Sequence, residues 1–410
     1  MLSAVHSDRS GRLMLVADYA PAMIDGAGVR PFEGGAPLSR GAEIITLTGR
    51  EAVGIDRAGR PRPLGPARFA VAAIARLGSL RTALPAYAED ERVPALAARA
   101  YAAVAGDANG DLLIAAAPID PDATANDLRD DPDLPARISV VLGELPGNRL
   151  ARQLARCARD YRCRAAANAF AGVADCALPV AAPANERPPD PVSIRGDVDA
   201  APTEAAAFHP TADEIAAVAV RHFAAGGTLV SFGRACEGEP LLAARLLEAA
   251  LEMIRARTAT GTLHVETNGS SPAALRRLIA AGLDSVAVRL ASARAETYER
   301  LHGPQGYRFG DVRTSIDAAV RAKVALALVI LVMPGLTDRG QELDAIVDLA
   351  DELPPGSQLI LRDLACDPKR TIELLRSEEP AIGIANALDR IRTDAPQLRI
   401  GALVRPLARV

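Results

Sequence analysis

Leu229-Val230-Ser231-Phe232-Gly233-Arg234-Ala235-Cys236-Glu237-Gly238-Glu239-Pro240 passes from an apolar β-run, through a glycine-bearing loop, into the apolar helix that begins at Leu241. A strand, a tight loop and a helix start in that order suggest a phosphate cradle. The chemistry argues against one, because two carboxylates beside the helix start repel an anion and neither G-x-G-x-x-G nor a P-loop lysine is present. A primary ammonium group suits the loop better, since carboxylates and free carbonyls accept its hydrogen bonds and Gly238 lets the main chain come close. The spacing is equally compatible with acids that only cap the helix dipole.

The same alternation extends on both sides of this loop. A helix is predicted from Thr211, strands at Leu229–Phe232, Leu263–Glu266, Ser285–Leu290, Ala325–Val332 and Gln358–Leu361, and helices between them, including those from Leu241 and Pro272. Thr211 and Glu214 have capping-box spacing, Ser271 precedes a proline at a first helical position, and Gly282 closes that helix. Strict alternation of strand and helix means a parallel sheet, whose ligands sit beyond the carboxyl ends of the strands. That rim gathers Glu237, Gly238, Glu239, Thr267, Asn268 and Arg289 as candidate binding residues for an amino-acid-like or nucleoside ligand.

Upstream the character differs. Residues 1–145 show short β-leaning runs (Leu13–Val16, Ile44–Leu47, Leu112–Ala116) and read as an α+β leader domain, with a loop expected over Pro118–Pro135. Residues 146–176 read as a helical connection, with Leu150, Leu154, Cys157 and Tyr161 on one face and Cys157 expected to be a buried thiol. The barrel is assigned to 177–375, with a flexible proline-rich stretch at 183–210, and 376–410 reads as a C-terminal helical and strand extension with a helix near Ile372–Leu375 before it and another near Ile382–Arg392.

Composition narrows the function classes. A net charge of -4 in 410 residues gives no electrostatic grip on a nucleic acid. Neither a signal peptide nor a run of roughly 18 apolar residues is present, so no membrane role is expected. Five cysteines at irregular spacing (Cys157, Cys163, Cys176, Cys236, Cys366) fit a reducing compartment, the cytoplasm. The histidines form neither H-x-H nor H-E-x-x-H, which leaves no zinc signature.

The chain resembles the radical S-adenosylmethionine proteins, in particular an uncharacterised bacterial branch. The likeness is carried by Asn148-Arg149-Leu150 through Cys163-Arg164-Ala165-Ala166, the loop Phe232–Pro240, Gly261-Thr262-Leu263-His264-Val265-Glu266-Thr267-Asn268-Gly269-Ser270, Ala281–Leu290, Tyr298 with Pro304–Phe309, Asp311-Val312 and Met333–Asp338, and it covers roughly Pro146–Leu375. The resemblance implies a partial (β/α)6 TIM-like barrel. It also implies that Gly238 and Glu239 match a Gly-Gly-Glu type motif contacting the methionyl amine of the cofactor.

The family's defining C-x3-C-x2-C motif, which holds a [4Fe-4S] cluster whose fourth iron chelates S-adenosylmethionine, belongs in the loop after the first barrel strand. That strand is expected at Ala177-Leu178-Pro179-Val180, with Cys176 preceding it, and the motif's three cysteine positions then fall on Ala184, Pro188 and Pro191. Alanine and proline offer iron no ligand atom, and Asp190 and Glu186 are hard donors poorly matched to the cluster. Displaced thiols are a weak substitute, because Cys157 and Cys163 are expected six apart on one helix, on different faces.

The expectation is therefore a degenerate fold member without cluster or radical activity, a pseudoenzyme that retains S-adenosylmethionine or a related nucleoside as a sensor, or that binds a protein partner. Two alternatives stay open at this point: an active radical enzyme with unusual cluster ligands, and a non-radical enzyme using Glu237 or Glu239 as a base.

Overall fold

The computed structural model describes residues 2–26, 28–89, 92–97, 99–124, 128, 131–181, 183–187, 193–194, 203–234, 237–365, 367 and 379–407. Cys236, Cys366, Pro188, Pro191, Asp190 and the expected helix near Ile372–Leu375 lie outside these residues. The chain divides into two compact units, one of residues 1–124, 331–352 and 361–402, the other of 125–330, 353–360 and 403–410.

The second unit carries the strand and helix alternation. Its elements are β1 (Asp175–Ala177), α1 (Ala212–Ala224), β2 (Leu229–Phe232), α2 (Ala244–Arg257), β3 (Thr262–Thr267), α3 (Pro272–Ala280), β4 (Ser285–Leu290), α4 (Ala295–His302), α5 (Phe309–Ala322) and the larger part of β5 (Ala325–Val332), followed by the first half of β6 (Gln358–Asp363). The strands lie in the order β1-β2-β3-β4-β5-β6, and the first five are parallel. All residues of β3 and β4 are buried, as parallel strands covered on both faces require.

Register decides which side chains face inward. One row across the sheet runs Ala177, Ser231, His264, Ser285, Ala325, each opposite the next. Two residues further along, Glu266 stands opposite Ala287 and Ala287 opposite Ala327. The side chains of Leu229, Ala287, Ala327, Val329, Ile360 and Val404 pack as one buried cluster, which fills the interior of the curled sheet. Arg289, two residues beyond Ala287 on the same face, therefore points into the mouth.

Local chemistry fixes the helix starts. Thr211 Oγ1 accepts from Glu214 N at 3.2 Å and Glu214 Oε2 accepts from Thr211 N at 2.9 Å, a reciprocal capping box. Ser271 Oγ accepts from Ala274 N at 3.3 Å ahead of Pro272. Asn148 caps the helix Arg149–Asp160 through its contact with Ala151 N.

Three expectations are corrected here. The first barrel strand is Asp175–Ala177, not Ala177–Val180, so Cys176 lies within it. Leu178 N still donates to Ser231 O at 2.9 Å, but Pro179 has no N–H to continue the ladder. Cys157 and Cys163 do not share a helix, because Arg149–Asp160 ends before Arg162, which takes a φ of +49°, and Cys163 caps the next helix, Arg164–Ala171. Cys157 is half-buried rather than buried, with Gln153 Nε2 3.7 Å from its sulfur.

In the first unit, residues up to 124 form a sheet of short, antiparallel strands. Leu13–Val16 is found as expected and Ile44–Leu47 lies inside the long strand Glu43–Ile55. The run Leu112–Ala116 is split, because Leu112–Ile114 pairs with Val104–Gly106 whereas Ala116–Pro118 pairs with Ser79–Arg81. A core of Ala4, Leu47, Ala52, Leu64, Ala70, Ala72 and Tyr101 lies under the sheet. This unit also holds helices Gly340–Asp351 and Ile384–Asp394, the latter close to the range expected from sequence. Among the described residues no helix is long and apolar enough to cross a membrane.

Candidate functional site

The loop after β2 is drawn tightly against the ends of the neighbouring strands. Gly233 takes a φ of +80°, and a Cβ there would stand 1.8 Å from Glu266 O and 2.7 Å from Pro240 Cγ, so only glycine fits. Glu237 folds back onto backbone donors: its Oε1 accepts from Gly233 N at 2.6 Å, and its Oε2 from Val180 N at 2.6 Å and Ala181 N at 2.8 Å. Glu239, two residues on, does the same, accepting from Leu241 N at 3.0 Å, Asn268 N at 2.8 Å and the Thr267 hydroxyl. Gly238 N donates to Ala181 O at 2.6 Å.

The six residues expected at the rim are thus brought together, with Glu237, Glu239, Thr267, Asn268 and Arg289 all buried. Both loop carboxylates hold main-chain N–H groups. Burial pushes Glu237 up to about 8, against the pull of its three backbone donors and with Glu239 adding to the rise. Burial likewise pushes Glu239 up to about 7, opposed by Asn268, Thr267 and Leu241.

Sequence reasoning set aside the residue that organises the mouth. Glu186, expected only as a poor iron ligand, is buried, and its carboxylate collects donors from three places in the fold. Arg289 from β4 pairs with Oε1. His302, the last residue of α4, presents Nδ1 to Oε2 at 2.8 Å, and Tyr307 donates its hydroxyl to Oε2 at 3.1 Å. Tyr298 OH lies 3.0 Å from Tyr307 OH, and its ring stacks on His302 with centroids 4.2 Å apart.

The His302 tautomer follows from its other nitrogen. Ala291 N–H points at Nε2 at 3.1 Å, so Nε2 is an acceptor and the ring proton sits on Nδ1. The 2.8 Å contact with Glu186 is therefore a hydrogen bond from a neutral imidazole to a carboxylate, although it also meets the distance of an ion pair; the charge that balances Glu186 is that of Arg289. Burial alone would raise the Glu186 carboxyl, but Arg289 and the hydrogen bond from His302 outweigh it and bring the carboxyl down to about 2. Burial pushes the phenols of Tyr298 and Tyr307 upward, which keeps them as donors.

Further bonds hold the loop on either side of Glu186. Glu239 N donates to Pro183 O at 2.9 Å, Gln305 N to Asn185 O at 2.8 Å, and Arg187 N to His302 O at 2.7 Å. The Asn268 side chain donates to Asn185 Oδ1 at 2.9 Å. The flexible stretch expected over 183–210 therefore begins with an anchored segment at 183–187. Within the remainder, Ser193–Ile194 and Thr203–Glu204 pair in parallel.

The residue types at the three expected cysteine positions do not fit an iron-sulfur cluster. Ala184 carries a methyl group, Pro188 and Pro191 have no donor atom to offer, and the carboxylate of Glu186 is already bound to Arg289, His302 and Tyr307. Cys176 is fully buried in β1 and burial raises its thiol well above the usual range, which opposes the thiolate a metal needs. Among the described residues no three His, Cys, Asp or Glu side chains are grouped to hold a metal ion. His302, Tyr298 and Tyr307 were not singled out as site residues. A buried acid in a proline-rich loop is the one feature that would have pointed to them, and nothing in the sequence shows that Glu186 is buried.

Residues 194–350 match the family model of the radical SAM superfamily. No curated protein matches the chain. Among solved structures, the FeFe-hydrogenase maturase HydG from Carboxydothermus hydrogenoformans is similar at 14% identity, covering 67% of this chain and 67% of that one, with a TM-score of 0.39. Methylornithine synthase is similar at 13% identity, over 65% and 74% of the two chains, with a TM-score of 0.39. SuiB from Streptococcus suis, bound to S-adenosylmethionine, is similar at 12% identity, over 61% and 53%, with a TM-score of 0.37.

Proposed function

We propose that this chain, which carries a radical SAM superfamily domain over residues 194–350, is a cluster-free member of that fold that acts as a binding module rather than a radical enzyme. The observation that supports the reading most is Glu186. In the loop where the family resemblance calls for three thiolates, the chain buries the carboxylate of Glu186 and anchors it on Arg289, His302 and Tyr307. A [4Fe-4S] cluster would supply the iron that chelates the amine and carboxylate of S-adenosylmethionine, and Ala184, Pro188 and Pro191 provide no means of holding it.

The chain's own residues define what the mouth does instead. Glu237 and Glu239 hold the strand ends and the loop together through five backbone N–H groups and the Thr267 hydroxyl. Carboxyl groups engaged in this way are poor general bases, because both oxygens of each are taken up by donors of the loop and the strand ends. S-adenosylmethionine or a related nucleoside then has neither chelating iron nor a free acidic pair for its amine, and its binding is weak. A weakly held nucleoside and a protein partner are both occupants compatible with this reading.

Anaerobic reconstitution with iron and sulfide tests the proposal. The protein is expected to elute from desalting colourless and without stoichiometric iron, and calorimetric titration with S-adenosylmethionine is expected to give no tight binding. A brown protein that retains its iron, or reductive formation of deoxyadenosine, overturns it.

A further inference from the structure

The donors around Glu186 do not come from its own neighbourhood in sequence. A guanidinium from β4, an imidazole N–H from the end of α4 and a phenol from the loop after it converge on two carboxylate oxygens. Each sits on a separate part of the barrel and is held from behind: His302 by Ala291 N–H, Tyr307 by Tyr298, and Arg289 by its place on a fully buried strand. Three converging donors, one of them cationic, make a site with carboxylate chemistry. The occupant arrives on a loop that brings little apolar bulk of its own. Ala184, Asn185 and Arg187 beside it are half-buried or exposed.

We propose that Arg289, His302 and Tyr307 form a carboxylate-binding cage in the barrel mouth, and that Glu186 is its resident internal ligand, closing the mouth in cis. An external carboxylate-bearing molecule enters the cage only when Glu186 leaves it, so loop 183–187 is an autoinhibitory contact. The inference rests on the cluster-free reading, because a loop committed to iron is not available to hold Glu186 in place. No bond is made or broken. The glutamate and the external ligand exchange the same hydrogen bonds and the same ion pair.

Chemical rescue tests it. Glu186→Ala removes the carboxylate and leaves space for formate. Its thermal unfolding midpoint is expected to fall, and then to rise saturably with formate by about 2–4 °C, with no such rise from chloride at equal ionic strength or from neutral acetamide. Wild-type protein, its cage filled, is expected to show no formate-specific shift, and Glu186→Ala/Arg289→Met is expected to lose the rescue. If Glu186→Ala is unfolded in plain buffer, recovery of the native circular dichroism signal on refolding in formate is the same result in another form. The proposal is overturned if formate acts no better than chloride on Glu186→Ala, whether that variant is folded or not, or if wild type responds as strongly as the variant. Iron retained by reconstituted wild type would sink the cluster-free reading while leaving the rescue result standing, so the two failures are told apart.

Discussion

Glu186 and Arg289, 103 residues apart in sequence, form an ion pair in the barrel mouth with side chains only 2% and 9% exposed. Pairs this deeply buried are costly to break singly, because the partner left behind keeps its charge without water or a counter-ion. Glu186→Gln and Arg289→Met are each expected to cost about 3–5 kcal/mol of stability. The double variant is expected to lose clearly less than the sum, read by urea denaturation as a double-mutant cycle. Additive losses would show that the two residues do not support each other.

Acid should weaken the fold through the same residue. The Glu186 carboxyl is lowered from 4.5 to about 2 in the folded protein, so it binds a proton more readily when unfolded. Its contribution is complete above pH 4.5 and is lost as the pH falls through about 2, with a total on the order of 3 kcal/mol. Wild type is therefore expected to lose more stability than Glu186→Gln between about pH 5 and 2. Parallel denaturation profiles for the two proteins would contradict this.

Glu237 and Glu239 carry the opposite sign. With folded values raised to about 8 and about 7, the folded state holds their protons longer than the unfolded chain does. Their protonated forms favour folding at low pH, and stability falls as the pH rises from about 4.5 through those values. Glu239→Gln is expected to flatten this fall between about pH 5 and 8, measured by urea unfolding at each pH. An unchanged slope would assign the loss to other groups.

Gly233→Ala is expected to destabilise by more than about 2 kcal/mol, because it adds a Cβ in a left-handed conformation. At φ +80° that Cβ would meet Glu266 O at 1.8 Å. Equilibrium unfolding of the purified variant is the measurement, and a loss under about 0.5 kcal/mol would mean that the loop leaves β3 in solution.

Thiol labelling should separate the cysteines. Cys157 and Cys163 are half-buried and Cys176 is buried with a raised thiol. In native buffer, peptide mapping after alkylation is expected to find Cys176 unmodified when the other two have reacted, and to find it labelled in urea. Early labelling of Cys176 would show that β1 opens readily.

The barrel was largely legible in the sequence. Leu229–Phe232, Ser285–Leu290 and Ala325–Val332 end where the mainly apolar runs end, because strands covered on both faces keep few polar positions to blur the pattern. Thr211, Ser271 and Pro272 mark helix starts by local chemistry that needs no tertiary context. β1 was misplaced because Leu178 and Val180 look like strand residues, while the limit is set by Pro179, the missing donor. Glu237, Gly238, Glu239, Thr267, Asn268 and Arg289 could be collected from the rule that strand ends meet, but what each would bind could not. Glu186 was out of reach for a different reason. Its partners at 289, 302 and 307 have no spacing relation to it, and only the closed sheet brings them together.

The shortness of β1 has a consequence for how the protein behaves at high concentration. An incomplete barrel exposes a border where a foreign strand could add itself and start a chain of copies. At the end of the sheet occupied by Asp175–Ala177, such an invader would find three buried residues, then Leu178 and the ring of Pro179, too brief and too covered a template to polymerise upon.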